Sequence, residues 1–253
     1  MKPAGKARPL ADDAIARIML RAVGAWNMPN KQRHRGRHPG DDACFAARCI
    51  PVLRAAVNDL SWLHTRGYSE KGALKIVGDR YQLTVRQRMA VQRAACGDDA
   101  LDRRRRHFVP PERLAAQAVI IDGYNLIITV ENALSGGILF HCRDGCLRDI
   151  ASLHGSYHRV EETLPAIQRI GDATAALRIA NAHWLFDAPV SNSGRLCAML
   201  LEEAAQHGWP WTAVCHPNAD AALIAADAIV VSSYSAVIDN APRWTNLVPI
   251  ILD

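Results

Sequence analysis

The feature that most restricts the fold is one short run, Ala118-Val-Ile-Ile-Asp-Gly-Tyr-Asn-Leu126. Its four leading apolar residues, three of them β-branched, predict a buried strand. The strand ends at Asp122, Gly123 lets the backbone turn, and Tyr124, Asn125 and Leu126-Ile127-Ile128 open a helix. A carboxylate at the carboxyl end of a buried strand stands where open α/β sheets bind their ligands. The alternative role for Asp122 is a turn former or helix cap.

The chain beyond this point alternates between strand and helix patterns. Residues 136–142 read as a second strand, entered through Gly136-Gly137, and 146–153 and 160–178 as helices. Residues 182–187 form a strand that again ends in an aspartate, Asp187, and Ser191-Asn-Ser-Gly-Arg195 leads into a helix through Ala205. A strand over 211–215, a short helix opened by Asp220, a strand over 228–232 and a last strand over 247–252 complete the pattern. Such alternation predicts an α/β fold with a mostly parallel sheet covered by helices on both faces.

In a parallel sheet the strand C-termini share one edge. Asp122 and Asp187 come to that edge, and Asp220 follows the 211–215 strand on the same side. Asp144 and Asp149 follow the 136–142 strand and are further candidates, whereas Asp227 precedes its strand and falls at the opposite edge. Converging carboxylates repel one another, and a hard divalent cation such as Mg2+ or Mn2+ relieves that repulsion with oxygen ligands. A metal held this way activates water and orients a phosphodiester. Asp122, Asp187 and Asp220 are the metal-ligand candidates, with Asn125 beside them to orient water or a phosphate. Asn192 is a second polar candidate, and the turn at Ser191–Arg195 either offers amides and Arg195 to an anion or simply caps its helix.

The front of the chain is different. Up to Gln117 there are 23 Lys+Arg against 11 Asp+Glu, and beyond it 7 against 14. A basic front and an acidic back suit a protein whose one part meets polyanions and whose other part gathers carboxylates. Residues 1–40 read as a basic extension, with a helix over 14–23 and a cationic stretch over 31–38 that either lies along phosphates or is a solvated tail. Residues 41–106 read as helical. Phe45, Cys49, Val52, Leu53, Ala56, Leu60 and Leu63 recur at helical spacing, Gly67 closes that helix, Ser69 and Thr84 read as N-caps, and Gly78 ends a short helix between them. Two short helices about a glycine turn are compatible with helix-turn-helix geometry.

Arg80, Arg86, Arg88 and Arg93 cluster here with few acids among them, a pattern that grips phosphates when the side chains are free. The run Asp102-Arg-Arg-Arg-Arg-His-Phe-Val-Pro-Pro111 marks the domain boundary, with residues 107–117 as a linker. Arg103, Arg104, Arg105 and Arg106 are either a phosphate-gripping hinge or a basic helix end that suits the helix dipole. Seven scattered cysteines without zinc-finger spacing predict reduced thiols in a cytoplasmic protein. No uncharged apolar run approaches the ~18 residues of a membrane span, and the N-terminus lacks the apolar core of a signal peptide.

Ile121-Asp-Gly-Tyr-Asn-Leu-Ile127 resembles the opening strand motif of NYN-type domains in the PIN-like nuclease superfamily, and the strand–helix order from about residue 117 onward matches it. The resemblance implies a PIN-like three-layer domain preceded by a small all-α domain. It also implies a Mg2+- or Mn2+-dependent ribonuclease whose first, middle and later acids correspond to Asp122, Asp187 and Asp220. The family carries a further acid in a Ser-x-Asp-like motif after a late strand. Here that place reads Ser232-Ser-Tyr-Ser235, with Tyr234 in the acid's position and Asp239 a little later. Arg66-Gly-Tyr68, Leu74-Lys-Ile-Val-Gly-Asp-Arg-Tyr81 and Arg86-Gln-Arg88 resemble a prokaryotic family catalogued as domain of unknown function 434. These readings lead to a metal-dependent ribonuclease with a basic RNA-binding front. One alternative is a non-catalytic RNA- or ribosome-binding protein on the same scaffold. A nucleotide- or small-phosphoester-binding enzyme is the third, although no Gly-x-Gly-x-x-Gly or P-loop motif is present.

Overall fold

The computed structural model describes residues 34–36, 38–151 and 157–253. The expected helix over 14–23, and residues 31–33 and 37 of the cationic stretch over 31–38, lie outside the described residues. The front of the chain is helical: α1 Asp41–Cys44, α2 Ile50–Thr65, α3 Glu70–Arg80, α4 Val85–Ala94 and α5 Asp98–His107. Pro51 in the first turn of α2 sets its start, since proline costs that position no hydrogen bond. Thr84 caps α4 in a capping box, its hydroxyl accepting from the Gln87 amide at 3.3 Å while the Gln87 side chain accepts from the Thr84 amide at 3.0 Å. Ser69 precedes α3 in extended backbone without a side-chain cap. Gly78 does not end α3 but lies inside it, and its missing side chain leaves room for the Arg88 guanidinium, which a Cβ there would meet at 2.1 Å.

Phe45, Leu53, Ala56, Leu60, Val77 and Val91 form the helical core. That core also takes in Ile138, Phe140, Cys142 and Ile150 from the C-terminal half. These four lie in or beside a small antiparallel hairpin, β2 Phe140–His141 and β3 Leu147–Arg148, turned by Gly145 at φ +85. The expected strand over 136–142 is thus two residues long and stands apart from the main sheet. The helix expected from Cys146 is replaced by β3, whose apolar neighbours face the helical core; residues 152–156 lie outside the described set.

The main sheet contains β1 Ala118–Asp122, β4 Asn181–Asp187, β5 Trp211–His216, β6 Ile229–Val231 and β7 Trp244–Thr245, in the order β5-β4-β1-β6-β7 and parallel throughout. Connecting helices are α6 Gly123–Leu134, α7 Thr163–Ala176, α8 Ser193–His207, α9 Ala219–Ala225 and α10 Ser235–Ile238. The chain closes with α11 Val248–Ile251, where a strand was expected; Pro249 in its first turn fits a helix start and could not donate to a sheet ladder. Alternate strand residues face opposite layers. Val119, Ile121, Trp184 and Phe186 pack with α6, α7, α8 and α11 on one face, and Ile120, Leu185 and Val230 pack with α9 and α10 on the other.

The arginine-rich run is the end of α5, and the residues after it are anchored. Phe108 bridges to Trp244 in parallel fashion, the Val109 amide donates to the Trp244 carbonyl at 2.8 Å, and Leu114 is fully buried. Residues 108–109 of the stretch expected as a linker therefore run along Trp244 of β7, and Leu114 packs into the core. No helix among the described residues is long and apolar enough to cross a membrane.

Candidate active site

The strand order reverses direction at β1. The chain runs from β1 outward to β4 and β5 on one side, then returns to β6 and β7 on the other. The crevice beyond the C-termini of β1 and β6 is thus the switch point at which such sheets bind ligands. Asp122 ends β1 there. Register pairs Asp122 with Leu185, so Asp187 lies two residues further along β4, paired with His216 at the end of β5. By the alternation of the strands both aspartates point to the α9/α10 side of the sheet, with Ile120 and Leu185. Asp220 sits in the first turn of α9 on that same side.

Hydrogen bonds hold these groups in place. Asp122 caps α6, its Oδ1 accepting from the Asn125 amide at 3.3 Å, and its Oδ2 accepts from the Ser232 hydroxyl at 2.8 Å. The cap and the functional candidate are therefore one residue. Asn125 Oδ1 accepts from both the amide and the hydroxyl of Ser233, at 2.8 and 3.0 Å. Asp187 Oδ1 accepts from the Ala219 amide at the start of α9 at 3.3 Å, and Asn218 caps that helix through the Ala221 amide.

Burial pushes the Asp122 carboxyl up to about 7; Ser232 and the Asn125 amide oppose this, and the charges of Asp220 and Asp187 add to it. Burial and the neighbouring Asp187 also raise Asp220. Among the described residues no Lys, Arg or His forms an ion pair with Asp122, Asp187 or Asp220. The same residues contain no group of three or more His, Cys, Asp or Glu placed to hold a metal ion.

The two further metal candidates are committed elsewhere. Asp144 is buried between Arg104, at 2.5 Å, and Arg148, at 2.6 Å, and these two guanidiniums hold its carboxyl far below the usual carboxylate range against the opposing effect of burial. Asp149 accepts from the Thr129 hydroxyl at 2.6 Å and from the Ala151 amide at 2.7 Å. Asp239, the next acid after Tyr234 in the chain, pairs with Arg104 at 2.8 Å and so does not stand in for the missing carboxylate.

The arginines separate in the same way. Arg104 is buried and tied to Asp144 and Asp239, so it does not reach an outside polyanion. Arg86 is held by the buried Asp41 at 2.5 Å, and Arg88 by Asp79 at 2.8 Å and the Leu83 carbonyl at 3.1 Å. Arg103 donates to the Asp239 carbonyl at 2.9 Å. Arg80 is largely exposed near Asp59 and lies 5.6 Å from the Tyr81 ring centre. Arg105, Arg106 and Arg195 are exposed, and Arg93 is half-buried beside Tyr234. Asn192 turns away from the crevice, its side chain donating to the Tyr157 carbonyl at 2.9 Å, and α8 has no side-chain cap.

Ser232, Ser233 and Arg148 escaped the sequence reading. Arg148 donates to the Ser233 carbonyl at 2.6 Å and the Arg93 carbonyl at 3.3 Å, so it fixes both the crevice lip and α4. The two serines had a readable signal, their place just after the β6 pattern. Arg148 had none, because its partners lie 4, 55 and 85 residues away.

Comparison with known proteins divides the chain at the same place. The family described as Protein of unknown function (DUF434) matches residues 52–107, the helical part from α2 through α5. The family described as Domain of unknown function (DUF5616) matches residues 111–249, which hold the whole parallel sheet. An uncharacterized protein of Methanocaldococcus jannaschii is 26% identical over 188 residues, covering 74% of this chain and 89% of its own. No solved structure matches. With more than half of its length matched, and the acidic crevice inside the match, the chain belongs to the DUF5616 family.

Proposed function

We propose that the chain is a cytoplasmic, divalent-metal-dependent ribonuclease built on a PIN-like scaffold, with the helical part and its exposed arginines receiving RNA. The observation that carries this reading is the set Asp122, Asp187 and Asp220 at one sheet edge, without a counter-cation among the described residues. The central position of β1, with the crevice at its end, supports the PIN-like scaffold.

The donor chemistry fits Mg2+ or Mn2+: the oxygens are hard, and at least two of the carboxyls are raised in pKa, chiefly by burial and further by a neighbouring acid. Because no ready-made group of three ligands exists among the described residues, the fit is to an ion that keeps part of its water shell, as Mg2+ commonly does. Such an ion, when bound, supplies charge neutralisation and an acidified water. The protein's own part is positional. Asp122, Asp187 and Asp220 would hold the ion; Ser232 and the Asn125 amide fix the Asp122 carboxylate. Ser233 holds the Asn125 Oδ1, and the NH2 of the same side chain would donate to a phosphate oxygen or a water. Arg93, at the seam with α4, would meet the RNA backbone.

The test is cleavage of single-stranded and structured RNA with Mn2+. Activity that is lost in Asp122→Asn, while the variant stays folded, supports the reading. RNA bound but left intact by the parent chain contradicts it. That second outcome would support a non-catalytic RNA- or ribosome-binding protein, which Tyr234 in an acid's position and Asp239 locked to Arg104 favour.

A further inference from the structure

The three residues after β6 divide their work. Ser232 and Ser233 are buried, each 2% exposed, and turn inward onto Asp122 and Asn125. Tyr234 turns outward and is 41% exposed. Its amide donates to Ser232 Oγ at 3.0 Å, so the backbone at Tyr234 is anchored to the same hydroxyl that holds Asp122. α10 begins at the next residue and stiffens the position.

The surroundings of Tyr234 are mixed. Asp122 lies on the crevice side, one hydroxyl away through Ser232, and Arg93 of α4 lies on the helical side, its carbonyl tied to that of Ser233 through the Arg148 guanidinium. A tyrosine phenol is neutral at physiological pH, and partial burial and then the Asp220 charge push its hydroxyl pKa further up, with Arg93 pulling the other way. A half-exposed aromatic beside an arginine, at the lip of an acidic pocket, is poorly explained as core packing. It has the chemistry of a platform for an unpaired base: nucleobases of every kind stack on aromatic rings, and a guanidinium beside the ring meets the phosphate. A base inside a duplex is already stacked on its neighbours and cannot use such a platform without being extruded.

Building on the ribonuclease reading, we propose that Tyr234 stacks an unpaired base of single-stranded RNA next to the crevice, with Arg93 on the adjoining phosphate. The residue that departs from the acid pattern is then a substrate-selecting group, and the site takes single-stranded rather than duplex RNA.

The test uses the full chain carrying Asp122→Asn, in EDTA, so that no cleavage is needed. The probe is a short single-stranded RNA with 2-aminopurine in place of one adenine, a base whose fluorescence is quenched on stacking. Binding is followed by anisotropy of an end label. Adding Tyr234→Phe keeps affinity and quenching. Adding Tyr234→Ala, or Tyr234→Leu as a bulkier control, weakens binding roughly tenfold and removes the quenching, as expected for loss of one base–aromatic stack. The same RNA in a duplex binds the Asp122→Asn chain no better than the single strand binds the Tyr234→Ala chain. Quenching that survives Tyr234→Ala, or duplex bound as tightly as single strand, overturns the inference. If quenching depends on Tyr234 but the parent chain cleaves no RNA with Mn2+, the inference stands and the ribonuclease reading falls. If cleavage depends on Asp122 but neither signal responds to Tyr234→Ala, the reverse holds. Absence of any RNA binding overturns both.

Discussion

Two groups of aspartates lie within the same half of this molecule, and their chemistry is opposite. Asp144 is bracketed by Arg104 and Arg148, whose guanidiniums hold its carboxyl far below the usual carboxylate range, and Asp239 pairs with Arg104. Asp122, Asp187 and Asp220 stand at the sheet edge with no cation against them among the described residues, and Asp122 is pushed up to about 7. Buried Glu131 belongs with the first group, its carboxylate met by Tyr157, Thr163 and Arg35. A paired buried acid ties elements together, because removing either partner leaves an uncompensated charge. An unpaired acid cluster costs stability and persists for something it binds.

The largest expected effect tests the paired group. Arg148→Ala removes two bonds to Asp144, one to the Ser233 carbonyl and one to the Arg93 carbonyl. Chemical denaturation should show a loss on the order of 3–5 kcal/mol. A loss under about 1 kcal/mol, the range of an exposed pair, would erase the contrast between the two groups.

Next comes Asp122→Asn, with the opposite sign. The folded carboxyl titrates near 7 and the unfolded one in the ordinary range, so between these values the native state holds a proton that the unfolded chain has released. In metal-free buffer, stability therefore falls as pH rises from about 4 to about 7 and levels off above that. Asn at this position keeps the hydrogen-bonding shape without the charge, and at pH 8 should stabilise the chain by on the order of 3 kcal/mol. Equal stability of parent and variant at every pH would mean that Asp122 is not strained by its surroundings.

A smaller change sharpens the same point. Ser232→Ala removes the hydroxyl that holds Asp122 down. The pH at which stability levels off should move above 7, and the chain should lose about 1–2 kcal/mol at pH 8. A levelling point that stays in place would show that the hydroxyl does not stabilise the ionised carboxylate.

The contrast was half legible in the sequence. Strands with a strong local signature were readable: Val119-Ile-Ile with its terminal Asp122, and Trp184-Leu-Phe before Asp187, follow from β-branched and aromatic content and from the alternation around them. From those the parallel sheet, its edge and the three crevice acids could be placed. What failed depended on distant partners. Asp144 and Asp149 had the same outward appearance as Asp220, and only Arg104, Arg148 and Thr129 remove them from the candidates. The arginine run at 103–106 looked uniform, yet one member is buried and two are exposed, because a helix turns successive residues to different faces. The 136–153 region departs from its strand-and-helix pattern because its apolar residues face the helical core instead of the sheet.

The central claim is that Asp122, Asp187 and Asp220 lack a cation in order to take one. It is tested most directly by calorimetric titration of Mn2+ into the full chain at pH 6.0 and 8.0, in two buffers of different ionisation heat (pH values roughly one unit either side of the Asp122 titration). The account predicts one saturable site per chain that binds more tightly at the higher pH, releases a proton at the lower one and is lost in Asp122→Asn. No saturable binding, or binding unchanged by Asp122→Asn and by Asp187→Asn, would contradict it.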